Sequence, residues 1–454
     1  MTEITALCAE PRAPLTERVD RYCIIGAGPS GLAAARAFNQ AGIPFDVLER
    51  HADVGGIWDL ASAQTPMYET AHFISSRTQS AFSDFPMPEH YPDYPSWRQI
   101  LEYLRDFARH YDLRRHIQFG ADVRRVMPAG DQWDVVLASG EHRRYRGVVL
   151  AVGHNWDPVM PTYPGHFDGV AYHAFAYRSP EAFGGKRVLV VGGGNSGCDI
   201  ACDAAANAEQ AMISLRRGYY FLPKHIFGQP TDVFFRQGPH IPLRIGQPLL
   251  AVLLRLLVGD LRRYGLPRPD HKVLTSHPIV NSQLLHYLAH GDIVAKPDVR
   301  ELRGGTVVFT DGSEAEVDVI VYATGYQATI PCFDDHGERA LRPDHLFLNI
   351  FPASYSNLFV IGQFETDGAA YPVVSRQAEL VARVIALEPE QCARWLERAR
   401  SAKQPDLTDG VRYLATPRHA YYVQFDAYNH HLDKLLRRLP VGHASGVTRG
   451  GVRS

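Results

Sequence analysis

The chain has 454 residues, which is enough for two or three packed domains. Hydrophobic residues make up 45%, charged residues 21%, and the formal net charge is −2, values typical of a soluble globular protein. This near-neutral charge argues against nucleic acid or an anionic membrane as the main partner.

The N-terminal segment and the cysteines bear on the compartment. Residues 1–14, MTEITALCAEPRAP, lack the apolar core of a secretion signal. The six cysteines contain no close pair of the kind found in a zinc ribbon or a redox dithiol, and they lie at positions 8, 23, 198, 202, 332 and 392. Cys198 and Cys202 are predicted to pack as small helix residues. We therefore expect a reduced, cytoplasmic protein without a metal site.

The first recognisable unit is a strand followed by a glycine turn. Residues 21–26, RYCIIG, are continuously apolar, as a strand buried on both faces requires. Gly26, Gly28 and Gly31 have the G-x-G-x-x-G spacing of a dinucleotide-binding turn. In such a turn the first glycine lets the chain reverse, the second admits a pyrophosphate, and the third packs helix on strand.

The segments after this turn complete the unit. Residues 29–42 predict a helix that begins at Pro29 and stops at Gly42. A second strand over residues 45–49 ends on Glu49, 21 residues beyond Gly28, where an acid binds the ribose hydroxyls of a dinucleotide. The order of these elements predicts a first dinucleotide site that suits FAD.

A second unit of the same kind begins at residue 186. The strand KRVLVV precedes three glycines in the same spacing, and a helix follows whose start offers donors to a pyrophosphate. The next strand, residues 211–215, is followed by Arg216 and Arg217, with Arg216 22 residues beyond Gly194. Guanidinium groups in the place of the acid favour a phosphorylated ribose, so this site is predicted to bind NADPH rather than NADH. The alternative is that both arginines only end a strand in solvent.

Two further strands bracket the second unit. Residues 147–161 and 317–326 are apolar strands that end in small-residue turns, which let the chain pass close to a cofactor. The expected fold is α/β, with two Rossmann-like dinucleotide-binding domains and the NADPH domain inserted into the FAD domain. The predicted boundaries are 1–165 for the first FAD part, 166–325 for the NADPH domain, and 326–454 for the second FAD part.

Three other segments were assessed for alternative functions. Residues 248–258, PLLAVLLRLLV, are too short to span a bilayer. They predict a buried helix, with a surface helix against lipid or a partner as the alternative. His286 and His290 are four apart but lack the acid of a zinc protease. The polar tail at 442–454 contains no anchor, so no transmembrane segment is expected.

An ordered set of motifs indicates a family. Residues 167–177, FDGVAYHAFAY, fit the pattern F-x-G-x-x-x-H-x-x-x-[FY], with His173 and Tyr177 on its last two positions. Around it stand GAGPSG, VGGIW, FSDFP, VVGGGNSGCDIA, SLRRG, ATGY and NLFVIGQ. With these motifs in this order, the chain resembles the flavin-containing monooxygenases over nearly its whole length.

The resemblance implies a reaction. NADPH reduces FAD, dioxygen adds as a C4a-hydroperoxide, and a small-molecule substrate with a soft amine nitrogen or sulfide sulfur takes the distal oxygen. His173 and Tyr177 would then serve cofactor placement and domain coupling. Tyr177-Arg178 stands where the related Baeyer–Villiger signature has Trp-Pro or Trp-Asp, which favours heteroatom over ketone oxygenation. A homodimer would be unsurprising in this family.

One departure from the family pattern affects the predicted chemistry. The family places an asparagine, which helps to hold the oxygenated flavin, eight residues before the aromatic of FSDFP, and Ile74 is found there. No catalytic side chain is therefore certain, and Ser75, Ser76 and Gln79 are the candidates to replace it. A less stable intermediate would leak peroxide. This is the best support for a flavin NADPH oxidase or reductase, which stays open with Baeyer–Villiger oxygenation and with a non-enzymatic nucleotide sensor.

The predicted cofactor residues fall into two groups. Trp58 is assigned to the flavin, with ordinary core as the alternative. The FAD group is Gly26, Gly28, Pro29, Ser30, Gly31, Glu49, Arg50, Gly56 and Trp58. The group for NADPH and domain coupling is Gly192, Gly194, Asn195, Ser196, Gly197, Arg216, Arg217, His173, Tyr177, Ala323, Thr324 and Gly325.

Overall fold

The computed structural model describes residues 14–238, 243–333 and 341–440, and the side chains of residues 243 and 244 are not described. The predictions for residues 1–13, including Cys8, and for the tail at 442–454 lie outside these ranges. Two mainly parallel sheets with helices against them form the main architecture.

The first sheet has seven strands in the order β3-β2-β1-β6-β5-β4, with β24 paired to β6. The strands are β1 (Leu15–Ile25), β2 (Phe45–Leu48), β3 (Ile117–Gln118), β4 (Val123–Ala129), β5 (Gln132–Leu137), β6 (His142–Leu150) and β24 (Leu358–Val360). Strands β4 and β5 are antiparallel to their neighbours, and the other pairs are parallel. The sequence of β1 is apolar at its carboxyl end because Cys23 and Ile24 are fully buried there.

The second sheet has five parallel strands in the order β16-β11-β10-β20-β9. The strands are β9 (Val170–His173), β10 (Arg187–Val191), β11 (Gln210–Ser214), β16 (Ile293–Lys296) and β20 (Val319–Tyr322). All of them lie in sequence between β6 and β24 of the first sheet, so the second Rossmann-like unit is inserted into the first. The predicted α/β fold with two such units is confirmed, while the three domain boundaries stay a prediction.

Smaller sheets surround these two. An antiparallel group with one parallel strand contains β8 (Gly165–Phe167), β17 (Val299–Gly304), β18 (Thr306–Phe309) and β19 (Glu314–Glu316). The two-stranded pairs are β7 (Asp157–Pro158) with β21 (Tyr326–Gln327), β12 (Phe221–Leu222) with β15 (Ile279–Val280), β13 (His225–Ile226) with β14 (Gln229–Pro230), β22 (Leu346–Phe347) with β23 (Phe351–Pro352), and β25 (Glu365–Thr366) with β26 (Tyr422–Val423).

The helices cover the sheet faces and fill the connections. They are α1 (Pro29–Gln40), α2 (Arg77–Ser80), α3 (Trp97–His110), α4 (Asn195–Asn207), α5 (Thr231–Gln237), α6 (Leu243–Val258), α7 (Gln283–His290), α8 (Ala370–Ile385), α9 (Pro389–Ser401) and α10 (Phe425–Leu436). Short 3-10 helices lie at Gly56–Trp58, Arg114–His116, Ala174–Ala176, Pro180–Phe183, Leu261–Tyr264, Pro343–His345 and Arg418–Tyr421. The predicted helices at 29–42 and after the second glycine turn are α1 and α4, and Cys198 and Cys202 are buried on α4, as predicted.

Helix α6 corrects the prediction of a buried helix at residues 248–258. Only Leu250 and Leu254, one turn apart, pack against the chain, where they meet Leu222 and Val273. Leu256 on another face is 79% exposed. The segment is apolar nearly all round, so its composition resembles that of a core helix, but the surrounding chain covers one narrow stripe. Within the described part of the chain, no helix is long and apolar enough to cross a membrane.

Candidate functional site

The first glycine turn joins β1 to α1 next to the neighbouring strand β2. The amide of Gly26 donates to the carbonyl of Leu48 at 2.8 Å. Gly26 has φ +103°, and a Cβ there would lie 2.6 Å from the carbonyl oxygen of Ala151, just beyond β6. A Cβ at Gly31 would lie 1.8 Å from the oxygen of Gly26. The fold itself therefore requires the first and third glycines.

The middle glycine of this turn faces a second bare backbone. The atom nearest to a Cβ at Gly28 would be the Cα of Gly56, at 3.4 Å, an ordinary contact. The two segments are joined because the amide of Gly55 donates to the carbonyl of Ala27 at 3.1 Å. Pro29 begins the helix directly after this surface, and Gly28 is its N-cap. This concave stretch of backbone suits the close approach of a pyrophosphate.

Glu49 lies one residue beyond the end of β2 and is 3% exposed. Its Oε2 accepts from the amide of Ala27 at 2.5 Å, and its Oε1 accepts from the amide of His51 at 2.9 Å. The carboxylate is thus held against the glycine turn, where the sequence places the ribose contact. Arg50 is exposed, and its Nε contacts the ring of His51 at 3.1 Å.

Two other predicted flavin residues lie farther along this surface. Trp58 is buried in the first core, with its ring centroid 4.9 Å from that of Phe73. Ser30 lies against Gly362, just after β24, because a Cβ there would lie 2.1 Å from the Ser30 oxygen. The carboxyl ends of β1 and β24 therefore meet at this site.

The second glycine turn repeats these contacts. A Cβ at Gly192, which has φ +117°, would lie 2.4 Å from the oxygen of Ala323, just beyond β20. A Cβ at Gly197 would lie 2.1 Å from the oxygen of Gly192. At Gly194, in contrast, no atom of the described chain lies within 4 Å of the Cβ position. The packing of the chain does not require this middle glycine, so open space at the start of α4 fits a bound pyrophosphate.

The residues that open α4 differ in what they can offer. The side chain of Asn195 donates to the carbonyl of Pro278 and accepts from the amide of Val280, each at 3.0 Å. This side chain is therefore used to hold the β15 segment, and the backbone N–H groups of the first turn are the remaining donors. Ser196 is half-buried at the next position.

The two arginines lie one residue later than the sequence comparison of the units placed them. The amide of Gly192 donates to the carbonyl of Ser214 at 3.0 Å, as that of Gly26 does to Leu48. Buried Leu215 therefore takes the place of Glu49, and Arg216 takes the next position. Among the described residues, neither Arg216 nor Arg217 forms an ion pair or a hydrogen bond. Both cations at this edge are thus available to an anionic ligand.

The motif residues that enter the second unit are buried. Nδ1 of His173 accepts from the amide of Phe175 at 3.0 Å, while its Nε2 is buried and makes no hydrogen bond within the described ranges. Burial lowers the pKa of His173, so its ring is neutral at pH 7. Tyr177 is 1% exposed and donates to Asp203 of α4 at 2.8 Å, so its hydroxyl supports the helix.

The turn after β20 supports the second glycine turn from below. Ala323 supplies the carbonyl that Gly192 approaches. The hydroxyl of Thr324 donates to the carbonyl of Val159 at 2.6 Å, and the carbonyl of Gly325 accepts from the amide of Val159 at 3.0 Å. These contacts connect the two returning segments that the sequence analysis predicted.

The segment around Ile74 precedes α2. Ile74 is half-buried. The hydroxyl of Ser75 pairs with that of Ser80 at 2.7 Å, and the amide of Ser76 donates to Asp232 at 2.7 Å. Gln79 accepts from Arg236 of α5 at 2.7 Å. The three candidate replacements for the family asparagine therefore already have polar partners in the chain.

A buried polar cluster between the units was not predicted. Glu365 accepts from Arg418 at 2.9 Å, and His154 lies 3.4 Å from the same carboxylate. Burial alone would raise the pKa of Glu365, but these cations outweigh it and hold that pKa well below its usual range. Burial also lowers the pKa of neighbouring His277 to about 3. His154 follows the turn after β6, but no sequence spacing relates it to its partners.

The chain matches a family of known proteins. Residues 19–391 match the family model described as flavin-binding monooxygenase-like. Flavin-containing monooxygenase 5 from Homo sapiens is 30% identical over 437 residues, which cover 87% of this chain and 82% of that protein. Dimethylaniline monooxygenase [N-oxide-forming] 2 from Rattus norvegicus is 34% identical, with 81% and 73% covered.

Solved structures share the fold. Cyclohexanone monooxygenase from Rhodococcus sp. Phi1 bound to NADP+ has a TM-score of 0.70 at 19% identity, with 94% of this chain and 98% of that chain covered. S-allyl-L-cysteine S-oxygenase from Allium sativum has a TM-score of 0.64 at 20% identity, with 94% and 90% covered.

Proposed function

The chain belongs to the flavin-binding monooxygenase-like family, and from this premise we propose that it oxygenates a soft nucleophile, an amine nitrogen or a sulfide sulfur. It is an oxidoreductase that uses FAD, NADPH and dioxygen, as members of this family do. The observation that carries the assignment of the cofactors is the pairing of two alike glycine turns with unlike charges beside them.

The charges beside the turns support a different ligand at each. Glu49 at the first turn is an acceptor for the hydroxyls of an unphosphorylated ribose, as in FAD. At the second turn a carboxylate is absent from the matching position, and Arg216 and Arg217 are unpaired within the described chain. Guanidinium groups bind a ribose phosphate strongly, which supports NADPH there.

The residues of the chain bind, orient and shield the cofactors. Gly28 and Gly56 would hold the FAD pyrophosphate, and Gly194 with the first turn of α4 would hold that of NADPH. Bound FAD supplies the redox chemistry, accepting a hydride and activating dioxygen. The half-buried Ile74 and the buried Trp58 and Phe73 would exclude water from this region, and His173 would offer a neutral ring beside the second turn.

The substrate class rests on two further observations. The N-oxide-forming relative is similar to this chain over 81% of its length. Arg178, which replaces the proline or aspartate of the Baeyer–Villiger signature, has its guanidinium tied to the carbonyls of Phe175 and Tyr177 at 2.7 and 2.9 Å. We also propose a cytoplasmic location, a homodimer, and the domain boundaries at 165 and 325.

A specific observation supports a second candidate, an NADPH oxidase without oxygen transfer. Isoleucine at position 74 offers no hydrogen bond, and Ser75, Ser76 and Gln79 are bound elsewhere. If none of them supports the oxygenated flavin, reducing equivalents leave as hydrogen peroxide.

The experiment compares product with peroxide. FAD-loaded protein is supplied with NADPH, air and in turn methyl phenyl sulfide, N,N-dimethylaniline and cyclohexanone. We expect sulfoxide or N-oxide to account for most of the NADPH consumed. Peroxide equal to the NADPH with every acceptor would establish the oxidase instead, and lactone alone would establish ketone oxygenation. Gly194→Ala, which should bind NADPH poorly, provides the matched control for background oxidation.

A further inference from the structure

Two aspartates of α4 face a segment that precedes the second unit by more than 100 residues. Asp199 and Asp203 are four residues apart and so share one face of the helix. The hydroxyl of Tyr68 donates to Asp199 at 3.0 Å, and that of Thr70 donates to Asp203 at 2.6 Å. Each carboxylate thus receives one donor from the same short segment, residues 67–71.

Other contacts hold both carboxylates in place. The hydroxyl of Tyr177 shares Asp203 with Thr70 at 2.8 Å, and the side-chain amide of Asn281 donates to the second oxygen of Asp199 at 2.8 Å. The rings of Tyr68 and Tyr177 lie 5.5 Å apart. Residues 67–71 therefore pack into the core of the second unit, although they belong to the first in sequence.

The same segment leads back to the first glycine turn. The amide of Met67 donates to the hydroxyl of Thr65 at 3.2 Å, and that hydroxyl donates to the carbonyl of Ile57. The 3-10 turn that holds Ile57 begins at Gly56, which faces Gly28. A short series of contacts thus runs from the FAD turn through residues 67–71 to α4, whose start is the NADPH turn.

We propose that Asp199 and Asp203 are positioning residues that set the NADPH turn relative to the FAD turn by accepting the hydroxyls of Tyr68 and Thr70. This proposal rests on the proposed function, because it concerns the approach of two cofactors. A misplacement of about 1 Å lowers the rate of a transfer step on the order of a hundredfold, so a joint of this kind controls hydride transfer.

The protonation of these groups agrees with the geometry. Burial raises the pKa of Asp199 to about 6, and its hydrogen bond from Tyr68 opposes that rise. Burial likewise raises the pKa of Asp203, opposed by Thr70 and Tyr177. Near pH 7.5 the carboxylate of Asp199 is ionised and acts only as an acceptor, which matches the donors that surround it.

The test removes the donors from residues 67–71 and keeps the packing. In the FAD-loaded full chain, Tyr68→Phe with Thr70→Val should slow flavin reduction by NADPH by ten- to a hundredfold. NADP+ affinity and FAD content should stay within twofold. Hydrogen exchange should rise in residues 66–72 and 195–203 but not in α1. Tyr103→Phe, which removes a buried hydroxyl bonded only within the first unit, is the control.

A second pair of variants tests the acceptor itself. Asp203→Asn keeps an oxygen for the two hydroxyls and should retain most of the reduction rate, whereas Asp203→Leu should not. Wild-type reduction rates in the double variant, unchanged exchange in it, or equal slowing by Tyr103→Phe would overturn the proposal. Failure of the proposed function would look different, because NADPH would then leave the wild-type flavin unreduced.

Discussion

Replacing Gly194 by alanine separates what the fold needs from what the cofactor needs. Its φ is −72°, and no atom lies within 4 Å of the Cβ position, so alanine fits the described chain without strain. Gly194 is the N-cap of α4, where alanine is less favourable than glycine by about 1 kcal/mol or less. We therefore expect a folded protein with a small loss of stability.

The effect on the cofactor should be much larger. A methyl group at Gly194 would occupy the space that a pyrophosphate needs against the start of α4. Losing one hydrogen bond to a charged group costs about 1.5–3 kcal/mol, which corresponds to roughly a ten- to hundredfold weaker Kd. Gly197→Ala would instead prevent folding, because its Cβ would lie 2.1 Å from a carbonyl oxygen.

The assay is a titration of the FAD-loaded protein with NADP+, together with thermal unfolding and the FAD content. Gly305→Ala is the matched control, because that glycine also has open space around its Cβ position but lies in the β17–β18 hairpin. If Gly194→Ala binds NADP+ as tightly as wild type, the second glycine turn is not the pyrophosphate site.

Four further changes test other parts of the site. Gly28→Ala should give folded protein without bound flavin, and a fully loaded yellow preparation would contradict the first site. Arg216→Ala with Arg217→Ala should lower the preference for NADPH over NADH by about tenfold, since charge-assisted phosphate contacts are lost; an unchanged preference would show that these arginines only face solvent. Ile74→Asn should lower the peroxide released per NADPH severalfold, because it restores a donor of about 1 kcal/mol; equal or greater release would remove Ile74 as the cause of leakage. Asp199 has a pKa of about 6 in the folded chain against 3.8 unfolded, so its contribution to stability is present at low pH and lost between about pH 4 and 6, by about 3 kcal/mol. Asp199→Asn should therefore gain stability relative to wild type across that range, and a pH-independent difference would contradict the assignment.

The glycine turns were predictable because their geometry is local. The contacts of Gly26 and Gly31 follow from a fixed spacing between one strand and the next helix. Register was less certain, because a strand can end one residue earlier or later without changing its composition. Leu215 rather than Arg216 matches Glu49 for this reason, and only the bond from Gly192 to Ser214 revealed it.

Features that depend on distant segments could not be predicted. Composition does not tell what covers α6, so a helix rich in leucine was expected in the core, while its Leu256 is 79% exposed. Asp199 finds its donor Tyr68 131 residues earlier. Glu365 meets His154 and Arg418 only after the two units and the C-terminal region have packed together.

The most direct test of the account is anaerobic mixing of the FAD-loaded protein with reduced nicotinamide cofactors. If the two turns hold FAD and NADPH within reach of each other, NADPH should bleach the flavin absorbance completely, and NADH should do so far more slowly. Flavin that stays oxidised in excess NADPH would contradict the account, because the two cofactors would then not meet in this protein.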